Sequence, residues 1–258
     1  MRLSTAISHF LAIIRYLNAM SSTLYQDSDA HEYMKKWDHD NHHLMIGRTT
    51  IAMVGLGPGD HVLEIGAGFG RYTQLLCDLG LKVTATEPDA NMLTYLEAKY
   101  SDDDSVRVVQ AGAEDLLEHM SDDIVAVCGF HILHHLRPKT IKTLGDQFGR
   151  LFIDHDHFRG WFFIEPNQLN PLYALQTFLD PAMNFSEEKG IWLTDFSEIL
   201  GPTPSGPALI GRIGLFPPRP IMARLPDQIA KLGTDISSWP NPIALYRVLA
   251  GYRSGIEG

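Results

Sequence analysis

The sequence predicts a doubly wound α/β fold: a seven-stranded, mostly parallel sheet with helices on both faces. Three observations predict it. From His61 onward, short apolar runs rich in β-branched residues alternate with stretches carrying apolar residues at three- and four-residue spacing. The first such run, His61-Val-Leu-Glu-Ile65, passes directly into glycines at 66, 68 and 70 and then into a helical stretch, the strand-turn-helix order of a parallel crossover unit. The chain has 258 residues, 45% of them hydrophobic and 20% charged, enough to cover a sheet on both faces.

Residues 1–55 stand outside the alternation and read as a helical cap, with Ile7, Phe10, Leu11, Ile14 and Leu17 on one helical face. Arg2 before an apolar stretch resembles the start of a secretory signal. His9 and Arg15 break that stretch and no small-residue cleavage site follows, so neither export nor stable membrane insertion is expected. The main domain is expected over 56–258. Strands are predicted at 62–65, 82–86, 106–110, 124–128 and 161–164, helices at 71–79, 90–100 and 139–148, and apolar runs at 208–216 and 243–250 supply the last two strands. The stretch at about 167–201 is too long for a simple connection. Placed after the fifth strand, with Leu172, Tyr173, Leu175 and Phe178 along it, it reads as an apolar cover over the ligand edge of the sheet.

Charge and cysteine content narrow the function. With 21 Lys and Arg against 31 Asp and Glu, the net charge of −10 argues against an extended grip on a phosphate backbone, so no nucleic-acid partner is expected. Cys77 and Cys128 form no CxxC pair, which excludes a disulfide framework and a cysteine zinc site and fits a reducing compartment, the cytoplasm.

The glycine turn is the most informative stretch. Glycines at 66, 68 and 70 let the backbone adopt positive φ and approach a ligand closely, and the helix that follows offers free N–H groups to a polar or anionic one. A tight strand-to-helix turn without a ligand would look the same. The dinucleotide fingerprint asks for Gly or Ala at the sixth position of GxGxxG, where Arg71 stands, so the pyrophosphate pattern fails. Glu64, two places before the glycines, would repel a pyrophosphate and suits an ammonium. Glu87 ends the second strand in Val83-Thr-Ala-Thr-Glu-Pro-Asp89, where a carboxylate accepts both hydroxyls of a ribose.

Strand, ExGxGxG, an acid at the end of strand two, and Gly112-Ala-Glu-Asp-Leu116 after strand three together resemble the class I S-adenosylmethionine-dependent methyltransferases, which have a Rossmann-like fold. The resemblance extends from about Tyr33 to the C-terminus. It implies that Glu64, Gly66, Ala67, Gly68 and Gly70 hold the methionine part of the cofactor, Glu87 and Pro88 its ribose, and Ala113 and Glu114 its adenine edge. Phe130 and Tyr33 are assigned to the same ligand. Gly112 departs from the pattern, since many members carry an aspartate before the alanine.

After strand four, Cys128-Gly-Phe-His-Ile-Leu-His-His-Leu136 is similar to the family's segment facing the transferred methyl group. His134 and His135, with His131, are the candidate general bases, against a purely structural role for the pair. His131 and His135 at i, i+4, with His155 or His157, offer metal-ligand types, but no carboxylate completes a set and no metal is expected. Strand five ends in Glu165-Pro-Asn167, followed by Asn170-Pro171. This EPN string resembles a subset of small-molecule methyltransferases, in which Glu165 and Asn167 would point into an acceptor pocket, although Asn and Pro also favour turns for local reasons; Trp37, from the N-terminal segment, and Tyr173, from the apolar cover, are assigned to the same pocket. Tyr33 and Trp37 at i, i+4 would share a helical face.

The expected activity is methyl transfer from S-adenosylmethionine to a small acceptor with a hydrophobic part, through O, N or C. No Asn/Asp-Pro-Pro-Tyr stretch follows strand four, which disfavours amino methylation of nucleic-acid bases. The rivals are a noncatalytic S-adenosylmethionine-binding protein and an NAD-dependent oxidoreductase, and a homodimer is left open.

Overall fold

The computed structural model describes residues 47, 51, 54–167, 170, 200, 209–213 and 246–253. Within them lie seven strands, β1 (His61–Ile65), β2 (Lys82–Thr86), β3 (Val106–Val109), β4 (Ile124–Phe130), β5 (Gly160–Pro166), β6 (Leu209–Ile213) and β7 (Tyr246–Tyr252). They form one sheet in the order β3-β2-β1-β4-β5-β7-β6. The pairs from β3 to β5 are parallel, and β7 runs antiparallel to both β5 and β6. Three helices of the sheet's crossovers are described: α1 (Arg71–Asp78), α2 (Ala90–Lys99) and α3 (Pro138–Asp154).

Each helix forms for local reasons. In α1, Tyr72, Leu75 and Leu76 recur at i, i+3, i+4 and are all buried. Asp89 caps α2, its carboxylate accepting from the N–H groups of Asn91 and Met92. Pro138 opens α3, where its missing N–H costs nothing. The sequence ends α3 at 148, but the apolar period continues through Leu151 and Phe152, which are buried, so the helix carries past Gly149 to Asp154.

Strand alternation separates two cores. Val62, Val83, Ala85, Cys128 and Phe162 face α1 and α2 on one side, with Leu75, Leu76 and Leu96. Leu63, Val127, Trp161, Phe163 and Leu249 face α3 on the other, with Ile141, Leu144, Phe148 and Leu151. The doubly wound expectation holds. The last strand lies at Tyr246–Tyr252 rather than 243–250, in register with β5 from Pro166↔Tyr246 to Gly160↔Tyr252. The N-terminal cap and the cover at 167–201 fall almost wholly outside the described residues. Among the described residues no helix is long and apolar enough to cross a membrane.

Candidate active site

The sheet order reverses between β1 and β4, so the turns that follow these two strands flank a crevice at the carboxyl edge, the usual ligand position in an open α/β sheet. The structure brings the expected cofactor residues to this edge: the glycine turn after β1, Glu87 after β2, Gly112–Glu114 after β3 and Phe130–His135 at and after β4.

Gly66, Gly68 and Gly70 all have positive φ, at 67°, 57° and 75°. A Cβ on Gly66 would lie 2.5 Å from Ile132 Cδ1, whereas one on Gly68 would meet nothing among the described residues within 4 Å. The turn is held by its own chain, with Ala67 N–H donating to Thr86 O and Gly70 N–H to Ala67 O. Tyr100 Oη and Lys99 Nζ donate to Gly70 O at 2.8 and 3.1 Å. Gly68 N–H donates to Glu87 Oε2 at 2.8 Å and Asp89 N–H to Glu87 Oε1 at 3.0 Å, which links the ends of β1 and β2. Burial raises the Glu87 carboxyl despite these two bonds. Pro88 is exposed beside it.

Glu64 is buried beneath α1, where Thr73 Oγ1 donates to its Oε2 at 2.5 Å. Burial, the largest influence, pushes its carboxyl from 4.5 up to about 7, against the Thr73 bond and the Lys99 charge. A carboxyl whose folded value lies above its unfolded one stabilises the fold fully below pH 4.5, and that contribution is lost as pH rises through about 7. The difference corresponds to about 3 kcal/mol. Desolvated His131 and His135, held below their unfolded value of 6.5, act in the opposite sense in any variant; the urea stability of the unliganded wild type relative to Glu64→Gln is therefore expected to fall as pH rises from 4.5 to 8, and a difference that does not change with pH would remove Glu64 as its source.

After β3, Ala113–His119 form a 3₁₀ helix. Ala113 is buried; Glu114 is exposed and tied to α3, its Oε1 accepting from Thr140 Oγ1 at 2.8 Å and its carbonyl from Gln147 Nε2 at 2.6 Å. After β4, Phe130 stacks on Tyr72 with ring centres 4.0 Å apart. His131 is the one non-glycine residue with positive φ among those described, at 56°, and its N–H donates to Ile164 O. Its Nε2 lies 3.1 Å from Tyr72 Oη, and its ring meets Tyr246 edge-on. Burial pushes its pKa down to about 3, so the ring is neutral at physiological pH.

Leu133–His135 form one 3₁₀ turn, which corrects the expectation that His131 and His135 share a helical face. His134 is buried and His135 exposed, their rings 4.0 Å apart. His155 and His157 sit before β5, at the opposite edge of the sheet, and cannot join them.

Glu165 ends β5 completely buried. Its Oε1 accepts from Ile132 N–H at 2.9 Å and Leu133 N–H at 2.8 Å, and its Oε2 is 2.7 Å from His134 Nδ1. Both oxygens of Glu165 thus bond the histidine turn. Asn167 is buried nearby and its carbonyl accepts from Asn170 N–H. Tyr33, Trp37 and Tyr173 lie outside the described residues.

The sequence reading missed Tyr72 and Thr73 as parts of the site. The signal was present: they precede Leu75 and Leu76 by three positions each and so fall on the inward face of α1.

Residues 62–152 match the family model described as a methyltransferase domain. A curated relative, a probable ribosomal RNA small subunit methyltransferase A of Natronomonas pharaonis, is 25% identical over 156 residues, which are 50% of this chain and 57% of that protein. The chain thus spans little more than half of that relative's length. A solved S-adenosylmethionine-dependent methyltransferase from Archaeoglobus fulgidus superposes with a TM-score of 0.51 at 14% identity, covering 86% of this chain and 99% of that one. The Haemonchus contortus phosphoethanolamine N-methyltransferase 2 superposes with a TM-score of 0.53 at 13% identity, covering 91% of this chain and 60% of that one. The resemblance to class I S-adenosylmethionine-dependent methyltransferases is borne out at the level of domain and fold. The expectation of no nucleic-acid partner is overturned, because curated relatives are named ribosomal RNA methyltransferases. The inference from net charge failed because −10 is a sum over the whole chain, whereas contact with RNA needs only a local patch of cations.

Proposed function

We propose that this methyltransferase domain transfers the methyl group of S-adenosylmethionine to a small-molecule acceptor. The observation that carries the reading is the bond from Gly68 N–H to Glu87, which unites the glycine turn and the ribose acid as one cradle at the β1/β4 switch point. A carboxylate has room for about four bonds, so Glu87 can still accept ribose hydroxyls. Among the described residues nothing crowds Gly68, which suits close approach of a ligand to the backbone.

S-adenosylmethionine, when bound, would supply an electrophilic methyl group on a sulfonium, open to in-line attack by the acceptor's lone pair with a neutral thioether as the leaving group. The residues of this chain position the reactants and exclude water. Glu64 and the glycine turn hold the methionine part, Glu87 the ribose, and Ala113 and Glu114 the adenine edge. His134 is the proton acceptor for an attacking O–H or N–H. Its Nδ1 is committed to Glu165, so any exchange with an acceptor runs through Nε2. The two free cysteines support a cytoplasmic location.

A ribosomal RNA acceptor is the second reading, favoured by the names of the curated relatives. The segment after β4, with His131, His134 and His135 and no Asn/Asp-Pro-Pro-Tyr, favours the first.

Calorimetric titration with S-adenosylmethionine, S-adenosylhomocysteine and NAD tests the cofactor. Micromolar binding of the adenosyl ligands without NAD is the expected result, and binding of NAD alone would sink the reading. Incubation with methyl-labelled S-adenosylmethionine and either total RNA or a small-molecule extract then separates the acceptors by where the label is recovered. Glu87→Ala is expected to weaken adenosyl binding by about 100-fold, the order of two charge-assisted hydrogen bonds, with the fold retained. Unchanged affinity would remove Glu87 from the ribose site.

A further inference from the structure

We propose that His131 receives the acceptor, that Tyr72 orients the His131 ring, and that the group received is an uncharged hydroxyl; the assignment rests on the small-molecule methyltransferase reading. His131 opens the turn after β4, beside the point where the sheet order reverses. Tyr72 Oη and His131 Nε2 are hydrogen-bonded at 3.1 Å, so any contact with an acceptor runs through the other edge of the ring. Tyr72 from α1 and Tyr246 from β7 close on that ring with centres at 5.9 and 5.4 Å, and Phe130 stacks behind Tyr72. These three neighbours are buried, whereas His131 keeps exposed surface. The backbone is fixed as firmly: φ is 56°, the His131 N–H donates to Ile164 O, and the next two amides donate to Glu165. Strain of this kind persists where the surroundings over-determine it, and it clusters at ligand sites.

Charge selects the acceptor's chemistry. The Arg71 guanidinium lies 5.6 Å from the centre of the Tyr72 ring, and its charge already works against a proton on His131. An ammonium at the same place would meet the same opposition. The buried carboxylates of this edge are committed elsewhere: Glu165 bonds the histidine turn, Glu87 bonds Gly68 and Asp89, and Glu64 bonds Thr73. Desolvation holds His131 at about 3 and His135 at about 4, so neither ring can take a proton from an ammonium to free its lone pair. A hydroxyl carries no charge and both donates and accepts, so it suits the neutral His131 ring in either tautomer. On transfer the hydroxyl oxygen bonds the methyl carbon as the neutral thioether leaves, and the hydroxyl proton goes to His134 Nε2, the proton acceptor proposed above. His131 and Tyr72 keep their own protons and fix the direction of the attacking lone pair.

The test incubates the full chain with carbon-13 methyl-labelled S-adenosylmethionine and a small-molecule extract, and reads the carbon shift of the transferred methyl, which separates O-methyl from N-methyl and C-methyl products. O-methyl label that survives mild alkali is expected, since alkali would release it from an ester. Label on nitrogen or carbon, or label released by alkali, overturns the hydroxyl while the methyltransferase reading stands; label in no small molecule removes both. Titrating the extract at saturating cofactor then tests the two residues. Tyr72→Phe keeps the stack on Phe130 and loses only the hydroxyl, and is expected to raise the half-saturating amount of extract about tenfold, the order of one hydrogen bond. His131→Asn, which tolerates the positive φ and retains a donor and an acceptor, is expected to fall between the wild type and His131→Ala. Calorimetry with S-adenosylmethionine is expected to stay within about twofold of the wild type for Tyr72→Phe and His131→Asn. Unchanged half-saturation in Tyr72→Phe, or a cofactor affinity and melting temperature that fall together with it, would make the pair a packing contact and overturn the assignment.

Discussion

Glu165→Ala is expected to destabilise the protein by about 3–5 kcal/mol, the order of leaving several buried hydrogen-bond donors unsatisfied at once, seen as a lower urea midpoint with an unchanged slope. The carboxylate is wholly buried, and its removal strands two backbone N–H groups and His134 Nδ1 at once. It also removes what holds a strained segment, because His131 at φ 56° is followed directly by the two amides that Glu165 binds. Burial alone would raise the Glu165 carboxyl, but the His134 ring, His131 and Leu133 N–H together hold it below its ordinary value. Its stabilising contribution is therefore present above about 4.5 and is lost as pH falls through the lower folded value.

Glu165→Gln separates charge from shape. The amide oxygen still accepts from Ile132 and Leu133, while its NH₂ now faces His134 Nδ1, which forces that nitrogen to accept and moves the ring proton to Nε2. Nitrogen NMR of His134 is expected to show the Nδ1–H form in the wild type and the Nε2–H form in the variant. With its basic nitrogen turned away from the acceptor, the variant should lose kcat more than cofactor affinity. An unchanged tautomer would mean that Glu165 does not orient the ring.

This pairing shows what the sequence could and could not convey. Periodicity located every strand from β1 to β5 to within two residues of its start or end, because burial on one or two faces writes itself into consecutive side chains. The spacing of Glu64, the glycines and Glu87 was equally readable, since a turn needing positive φ and two strand ends needing acids leave local marks. His134 and Glu165 were each singled out, but for separate tasks. Their contact joins residues 31 positions apart across neighbouring strand ends and leaves no local mark. Strain at His131 was invisible for the same reason: the residue type permits it, and only bonds to a distant carboxylate sustain it. The reading of a helical face through His131 and His135 failed because those bonds draw the backbone into a single tight turn before α3 can begin.

Gly66→Val is expected to abolish adenosyl binding, weakening it by more than about 100-fold, while circular dichroism still reports a folded sheet. A β-branched side chain at φ 67° is strained, and its Cβ would meet Ile132 Cδ1 at 2.5 Å, so the turn or the histidine segment must move. Loss of binding in this variant alone is ambiguous, because a displaced Ile132 disturbs both sides of the crevice. Gly68→Ala resolves the ambiguity. Its φ of 57° makes an alanine cost about 1–2 kcal/mol in backbone strain, but its Cβ meets nothing of the described residues within 4 Å. If a ligand occupies that space, the added methyl must collide with it, and affinity should fall by far more than stability. Equal affinity in Gly68→Ala and the wild type would mean that the glycines serve only the sharp passage from β1 to α1, and that the cofactor lies elsewhere along the carboxyl edge.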